Sequence, residues 1–229
     1  MNTSFDNKDR FPLFNKVRDD HDVKIYISEQ NKSMKALHYT EHSFAHVGVV
    51  AYRTAEILEA QGLDDRSIDL GMTAAWLHDI GNIVNRSEHS QSGAIMAFHI
   101  LSRMNVPAED IAPIICAIGN HDEGNGVPVS AIAAAVILAD KSDVRRNRVQ
   151  EDDHGKFDIH DRVNYSVTAC DLKVDKEKQT ITLELAIDNQ YSEIGEYFQI
   201  FMPRMLLCKS AAEHLKLEFD LFINGQKLM

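Results

Sequence analysis

The stretch that decides the fold is Ala74-Ala75-Trp76-Leu77-His78-Asp79-Ile80-Gly81-Asn82. It closes a run from Asp65 to Ile80 whose inner face is small and apolar (Gly71, Ala74, Ala75, Leu77). The spacing predicts a buried helix that ends on a histidine and a carboxylate, with Gly81 as its stop. A second run, Val129 to Asp143, is alanine-rich and predicts a helix that packs closely on its neighbours. Asp140 lies on its apolar stripe, with Ile137, Val136 and Ala133 at i−3, i−4 and i−7. A carboxylate buried there costs several kcal/mol unless it is paired or bound to a cation. A third helix, His42 to Gln61, is ended by Gly62 and carries His42 and His46 on one face, which continues through Val49, Val50 and Ile57.

Further helices are expected at Val23–Leu37, Ser92–Met104 (ended near Pro107) and Glu109–Asn120. The character changes after Gln150. Tyr165–Val174 and Thr180–Asp188 alternate as strands around the turn Asp175-Lys176-Glu177-Lys178, followed by a helix from Ser192 to His214 and a strand from Lys216 to Ile223. The expectation is a mainly α chain. Its helical bundle spans residues 1–150, and a small α+β module (β-β-α-β) spans residues 151–229. The charged stretch EDDHGKFDIHDR, residues 151–162, is the boundary, with little to bury. The module carries no motif; packing is the preferred reading of it, ahead of capping the site, binding a regulator or forming a homodimer.

The chain has 229 residues, 44% hydrophobic and 26% charged, with a formal net charge of −11. So acidic a chain is a poor match for general nucleic-acid binding. To hold phosphate it needs a local cluster of cations or a metal. The longest apolar run, Ala131–Ala139, is far short of the roughly 20 residues that span a bilayer, and the opening MNTSFDNKDR has no apolar signal core. Cys116, Cys170 and Cys208 form no pair in sequence, which fits a reducing, cytoplasmic setting and small core residues.

Of the 11 histidines, His21, His38, His154 and His160 lie in polar surroundings, His214 sits near a helix end, and His99 is a core or boundary residue. His42, His46 and His78 instead lie, like Asp79 and Asp140, at the ends of apolar stripes. A divalent metal, which takes neutral imidazole nitrogen and carboxylate oxygen, satisfies them together. The alternative is a buried His–Asp hydrogen-bond network without metal.

The order His46, His78-Asp79, Asp140 on successive helices, with AAWLHDIGN and VILADKSD around the acids, resembles the HD-domain superfamily of metal-dependent phosphohydrolases over residues 40 to 148. His89-Ser-Gln-Ser-Gly93-Ala94 and Asn120-His121-Asp122-Glu123-Gly124 to Pro128 resemble segments of its HD-GYP branch, which hydrolyses cyclic dinucleotides. The resemblance implies one ion on His46, His78, Asp79 and Asp140, and a second on His89 and His121 with Asp79 bridging. The ions would be divalent transition metals or magnesium (Fe, Mn, Co, Ni, Zn or Mg). Asn82, Val127, Asn120 and the short spacer from Asp79 to His89 depart from the HD-GYP pattern. The pair His42-x-x-x-His46 is similar to the first motif of cyclic-nucleotide phosphodiesterases, which makes His42 a general acid or an outer ligand.

The chemistry so implied is hydrolysis of a phosphoester, of a nucleotide or related small molecule, by water activated between metals about 3.5–4 Å apart. Lys141, Arg145, Arg146 and Arg148 form the densest basic run. Lys141 and Arg145 are expected to grip the substrate phosphate, Lys141 also in a catalytic role; a solvated helix end is the alternative. Two other functions stay open: an HD-fold di-iron oxygenase, and a catalytically inactive nucleotide-binding sensor.

Overall fold

The computed structural model describes residue 5 and residues 7–229; residues 1–4 and 6 of the polar opening lie outside it. The helices are α1 (Pro12–Asp19), α2 (His21–Ala36), α3 (Phe44–Ala60), α4 (Asp65–Leu77), α5 (His89–Arg103), α6 (Ala108–Gly119), α7 (Ala131–Lys141), α8 (Ile159–Ser166) and α9 (Ile194–His214). The strands are β1 (Val167–Asp175), β2 (Thr180–Ile187), β3 (Glu218–Ile223) and β4 (Gln226–Lys227). A helical body followed by a small α+β module is thus what the sequence pattern predicts.

Two helices form the centre. Every residue from Ile68 to Leu77 of α4 and from Ile132 to Lys141 of α7 is buried. They pack on each other and on α3 and α6. Alanine at 133, 134, 135 and 139 leaves no bulk to hold the helices apart, as the composition of α7 suggests. Gly62 ends α3 in the left-handed region (φ +79°), where a side chain would be strained. Trp76 is a core residue, packed edge-on against Phe14 with ring centroids 5.7 Å apart.

The sheet runs β1-β2-β3-β4, with β1 and β2 an antiparallel hairpin, β3 parallel to β2 and β4 antiparallel to β3. The parallel pair requires a crossover, which α9 supplies. Ile181, Leu183, Leu185 and Ile187 on β2 and Phe219, Leu221 and Ile223 on β3 are buried at a period of two. One face of α9 meets β3 and another meets α7, so one apolar cluster runs from Phe5 through both parts to Ile223. No helix of the described residues is long and apolar enough to cross a membrane.

Three elements differ from the sequence expectation. The charged stretch does form structure: Asp158 caps α8 by accepting the Asp161 amide, and Val163, Asn164 and Ser166 are buried. The short strand β4 follows the Asn224-Gly225 turn. Helix α1 is unanticipated because its capping acid is remote in sequence. The carboxylate of Asp69, on α4, accepts the amides of Leu13 (3.0 Å) and Phe14 (2.7 Å), two of the groups a helix N-terminus leaves unpaired. Pro12 occupies the first turn, where no amide is needed, and Phe14 and Val17 face the core. Asp69→Ala therefore strands two amides, one of them buried. It is expected to lower the unfolding free energy by about 1–3 kcal/mol in denaturant titration, with α1 the first segment to lose amide-exchange protection.

Candidate metal centre

Five helix ends converge. His42 precedes α3 and His46 lies in its first turn. His78 and Asp79 follow α4, His89 opens α5, His121 follows α6, and Asp140 lies near the end of α7. His46, His78 and His121 are fully buried, and His42 and Asp140, at 8% and 9% exposed, lie nearest the solvent.

The chain folds tightly at the centre of this cluster. α4 stops at Leu77, three residues earlier than expected, and Ile80–Ile83 forms a single 3-10 turn. Gly81 does not stop the helix by adopting a left-handed conformation. It is needed because α5 crosses directly over it: a Cβ at residue 81 would collide with the His89 carbonyl oxygen and the Gly93 amide. That contact sets His89 against Asp79. Gly81→Ala must push α5 away, at about 1–3 kcal/mol for overpacking, and is expected to lower thermal stability and loosen His89, seen as loss of its slowly exchanging ring signals by NMR.

The histidine tautomers follow from their partners. A carbonyl oxygen only accepts, so Nδ1–H donates in His42 (to Thr40, 2.6 Å), His78 (to Ala75, 2.7 Å), His89 (to Arg86, 3.1 Å) and His121 (to Ile118, 2.6 Å). His46 Nδ1 donates to Asp143 Oδ2 at 2.7 Å. Every Nε2 lone pair is thereby turned towards the two carboxylates, the arrangement in which a partner on the far nitrogen fixes a ligating imidazole.

The distances sort these nitrogens into two sets. Asp79 Oδ2 lies 3.1 Å from His78 Nε2, 3.4 Å from His46 Nε2 and 3.9 Å from His42 Nε2. Asp79 Oδ1 lies 3.4 Å from His89 Nε2 and 3.9 Å from His121 Nε2, and the latter two nitrogens are 3.1 Å apart. Asp140 Oδ1 lies 3.3 Å from His46 Nε2 and 3.6 Å from His78 Nε2. Ligand atoms on one divalent ion, each about 2.0–2.2 Å from it, stand roughly 3–3.6 Å apart. Among the described residues the buried Nε2 atoms of His46 and His78 have no hydrogen-bond partner, and the Nε2 atoms of His89 and His121 face each other at 3.1 Å. Orphaned acceptors gathered around carboxylates fit a divalent cation. Two groups, His46–His78–Asp140 and His78–Asp79–His121, each have ligand atoms within 4.8 Å of one another.

The electrostatics agree. Burial alone disfavours imidazolium at His78, but Asp79 and Asp140 outweigh it and push its pKa up to about 10. Burial likewise opposes ionisation of Asp79 and Asp140; the histidines, and Lys141 beside Asp140, nevertheless hold both well below the usual carboxylate range. Burial holds His42 and His121 well below the usual histidine value, and lowers His89 as well.

A family profile for the HD domain matches residues 40–148. Residues 40–148 of this chain are an HD domain. Most HD domains are metal-dependent hydrolases, and the clusters just described are of the metal-holding kind. The uncharacterized protein MJ1020 of Methanocaldococcus jannaschii is similar at 25% identity, covering 67% of each chain.

The cations of this HD domain that were expected to grip phosphate are engaged by acids and carbonyls of the chain. Lys141 is buried and held by Asp140 Oδ2 (2.8 Å) and Glu123 Oε2 (2.6 Å). Arg145 is bound to both oxygens of Asp143, at 2.9 Å from Oδ2, and so buttresses His46 instead of facing the cluster. Arg148 holds the carbonyl oxygens of Asp143 (2.8 Å) and Glu41 (2.9 Å), and Arg146 stacks on Tyr165.

Several residues of the site escaped sequence reading. Asp143 was legible in principle, three positions beyond Asp140 in VILADKSD. Asn82 donates to Asp79 Oδ1 at 2.9 Å. Arg204, from α9, reaches Glu123 Oε1 at 2.9 Å, and no local pattern announces it. Removing the carboxylate that orients a ligating histidine lowers metal affinity by about 10–100-fold; Asp143→Asn is expected to do so in competitive chelator titration, leaving the fold intact.

Proposed function

We propose that this chain is a metal-dependent phosphohydrolase that cleaves a phosphoester of a nucleotide or related small molecule. One observation carries the reading. Asp79 is a buried carboxylate with no lysine or arginine partner among the described residues, and each of its two oxygens faces its own set of histidines. His46, His78, Asp79 and Asp140 are the residues that would hold one ion, and His89 and His121 a second, with Asp79 between them. The HD-GYP resemblance speaks for this second pair. Bound divalent cations supply an activated water and a charge clamp on phosphoryl oxygens.

The chain's own groups do the rest. Lys141 neutralises the outer oxygen of Asp140 and keeps its inner oxygen turned to the histidines. Arg145 and Asp143 hold the tautomer of His46. His42, near the solvent with Nε2 uncommitted to any carbonyl, is the group placed to exchange a proton with a leaving oxygen. In this reading residues 1–150 carry the chemistry, and residues 151–229 brace it through Arg204.

Elemental analysis of the purified protein, joined to a screen of nucleotides and phosphoesters with added Mn, Co, Ni, Zn, Fe or Mg, tests the proposal. Asp79→Ala is expected to abolish turnover and release bound metal; retention of wild-type metal content would contradict the assignment. Hydrolysis is expected to be lost on chelation and unchanged when oxygen is removed. Oxygen uptake driven by substrate would point to an oxygenase, and absence of product with every metal to a binding role. His42→Gln decides between its two readings: a fall in kcat with metal content kept marks proton exchange, whereas loss of metal marks a ligand.

A further inference from the structure

The cations around the cluster are almost all bound to acids. Lys141 is held by Asp140 and Glu123, Arg204 by Glu123, and Arg145 by Asp143, while Arg148 is fixed to backbone carbonyls. Arg86 is the exception. Among the described residues no carboxylate pairs with it, although the chain carries 35 acidic residues against 24 lysines and arginines. Among the described residues its hydrogen bonds run from Nη1 alone, to Asn82 Oδ1 at 3.2 Å and to the Nε2 lone pair of His89 at 3.3 Å. The remaining donors of a rigid five-donor fork stay available.

Its position gives that surplus a purpose. Arg86 Nη1 lies 3.3 Å from His89 Nε2, so an oxyanion held at the His89 side of the cluster falls within its reach. The guanidinium carbon sits 5.6 Å from the ring centroid of Tyr39, a cation–π contact that orients the fork. Tyr39 in turn lines an open cleft of about 470 Å³. Arg86 is itself half-buried, in contact with Asn82 and His89 of the cluster and with Tyr39 at the cleft. It lies in the short segment between the 3-10 turn that holds Asn82 and the start of α5 at His89.

We infer that Arg86 is the substrate-binding cation of this site, and that it takes the phosphoryl oxygens of the substrate in forked fashion. This rests on the phosphohydrolase reading above. Planar two-point recognition of phosphate is what distinguishes arginine from lysine. The competing role is positional: Arg86 steadies Asn82, which steadies Asp79.

The test measures binding of inorganic phosphate to the metal-loaded protein by calorimetry, with metal content determined on the same samples. Arg86→Ala is expected to keep its metal and to lose phosphate affinity by about tenfold or more, the scale of a lost charged hydrogen-bond pair. Arg86→Gln keeps a donor for Asn82 and removes the charge, so the same loss is expected. It also carries the test if the alanine variant unfolds. Wild-type phosphate affinity in Arg86→Gln with metal retained would overturn the inference. So would loss of metal from both variants, which would assign Arg86 to holding the ligands. Wild-type protein that retains no metal, or binds no phosphate when loaded, would instead overturn the phosphohydrolase reading itself, and is recognised without any variant.

Discussion

Asp79 is an ionised carboxylate, 3% exposed, whose only neighbouring donors among the described residues are an asparagine amide and histidine nitrogens. An ionised carboxylate removed from water costs several kcal/mol unless positive charge compensates it. The compensation available within the chain is a proton on a histidine, which is why the pKa of His78 rises to about 10 despite burial. A divalent cation answers the same demand with more charge and leaves the imidazoles neutral, the form their fixed Nδ1 donors have already prepared. The five helix ends that meet here, and the backbone carbonyls placed beneath the rings, are intelligible as the means of keeping that demand in one place.

The supporting charges form two chains that leave the cluster in different directions. Through His46 one passes to Asp143 and on to Arg145. Through Asp140 the other passes to Lys141, Glu123 and finally Arg204 on α9. Each chain alternates in sign, so no buried charge is left without an opposite neighbour. The second one also answers what the C-terminal module does structurally. The module presents no motif of its own, yet α9, packed between α7 and β3, delivers the cation that ends the chain. Packing alone does not describe it.

The legibility of the sequence follows the range of the interactions. Helix α7 and the face of α3 could be read because apolar periodicity is local, and Asp140 stood out because a charge on such a stripe is locally anomalous. His78 and Asp79 could be read for the same reason. The cap of α1 was invisible because Asp69 lies over 50 positions away from the amides it receives. Gly81 was legible as a glycine with a purpose, but its purpose is contact with α5, which no local pattern encodes. His89 and His121 became visible only through family resemblance. A sequence displays the anomalies a fold must resolve; the partners that resolve them come from elsewhere in the chain.

Charge shows this most plainly. Lys141, Arg145, Arg146 and Arg148 look like an anion-binding run because they are dense, whereas Arg86 stands alone between Asn85 and Ser87. Folding reverses the ranking. The dense run lies beside the acids of the α7 end, and those acids and nearby carbonyls engage Lys141, Arg145 and Arg148 before any ligand arrives. Lone Arg86 emerges where the nearest groups are imidazoles, an amide and a phenol ring, none of which neutralises it. What a ligand meets is the charge that remains after internal pairing. In an acidic protein that remainder is found where acids are absent from the first layer around a cation, and the number of cations in a stretch of sequence says little about it.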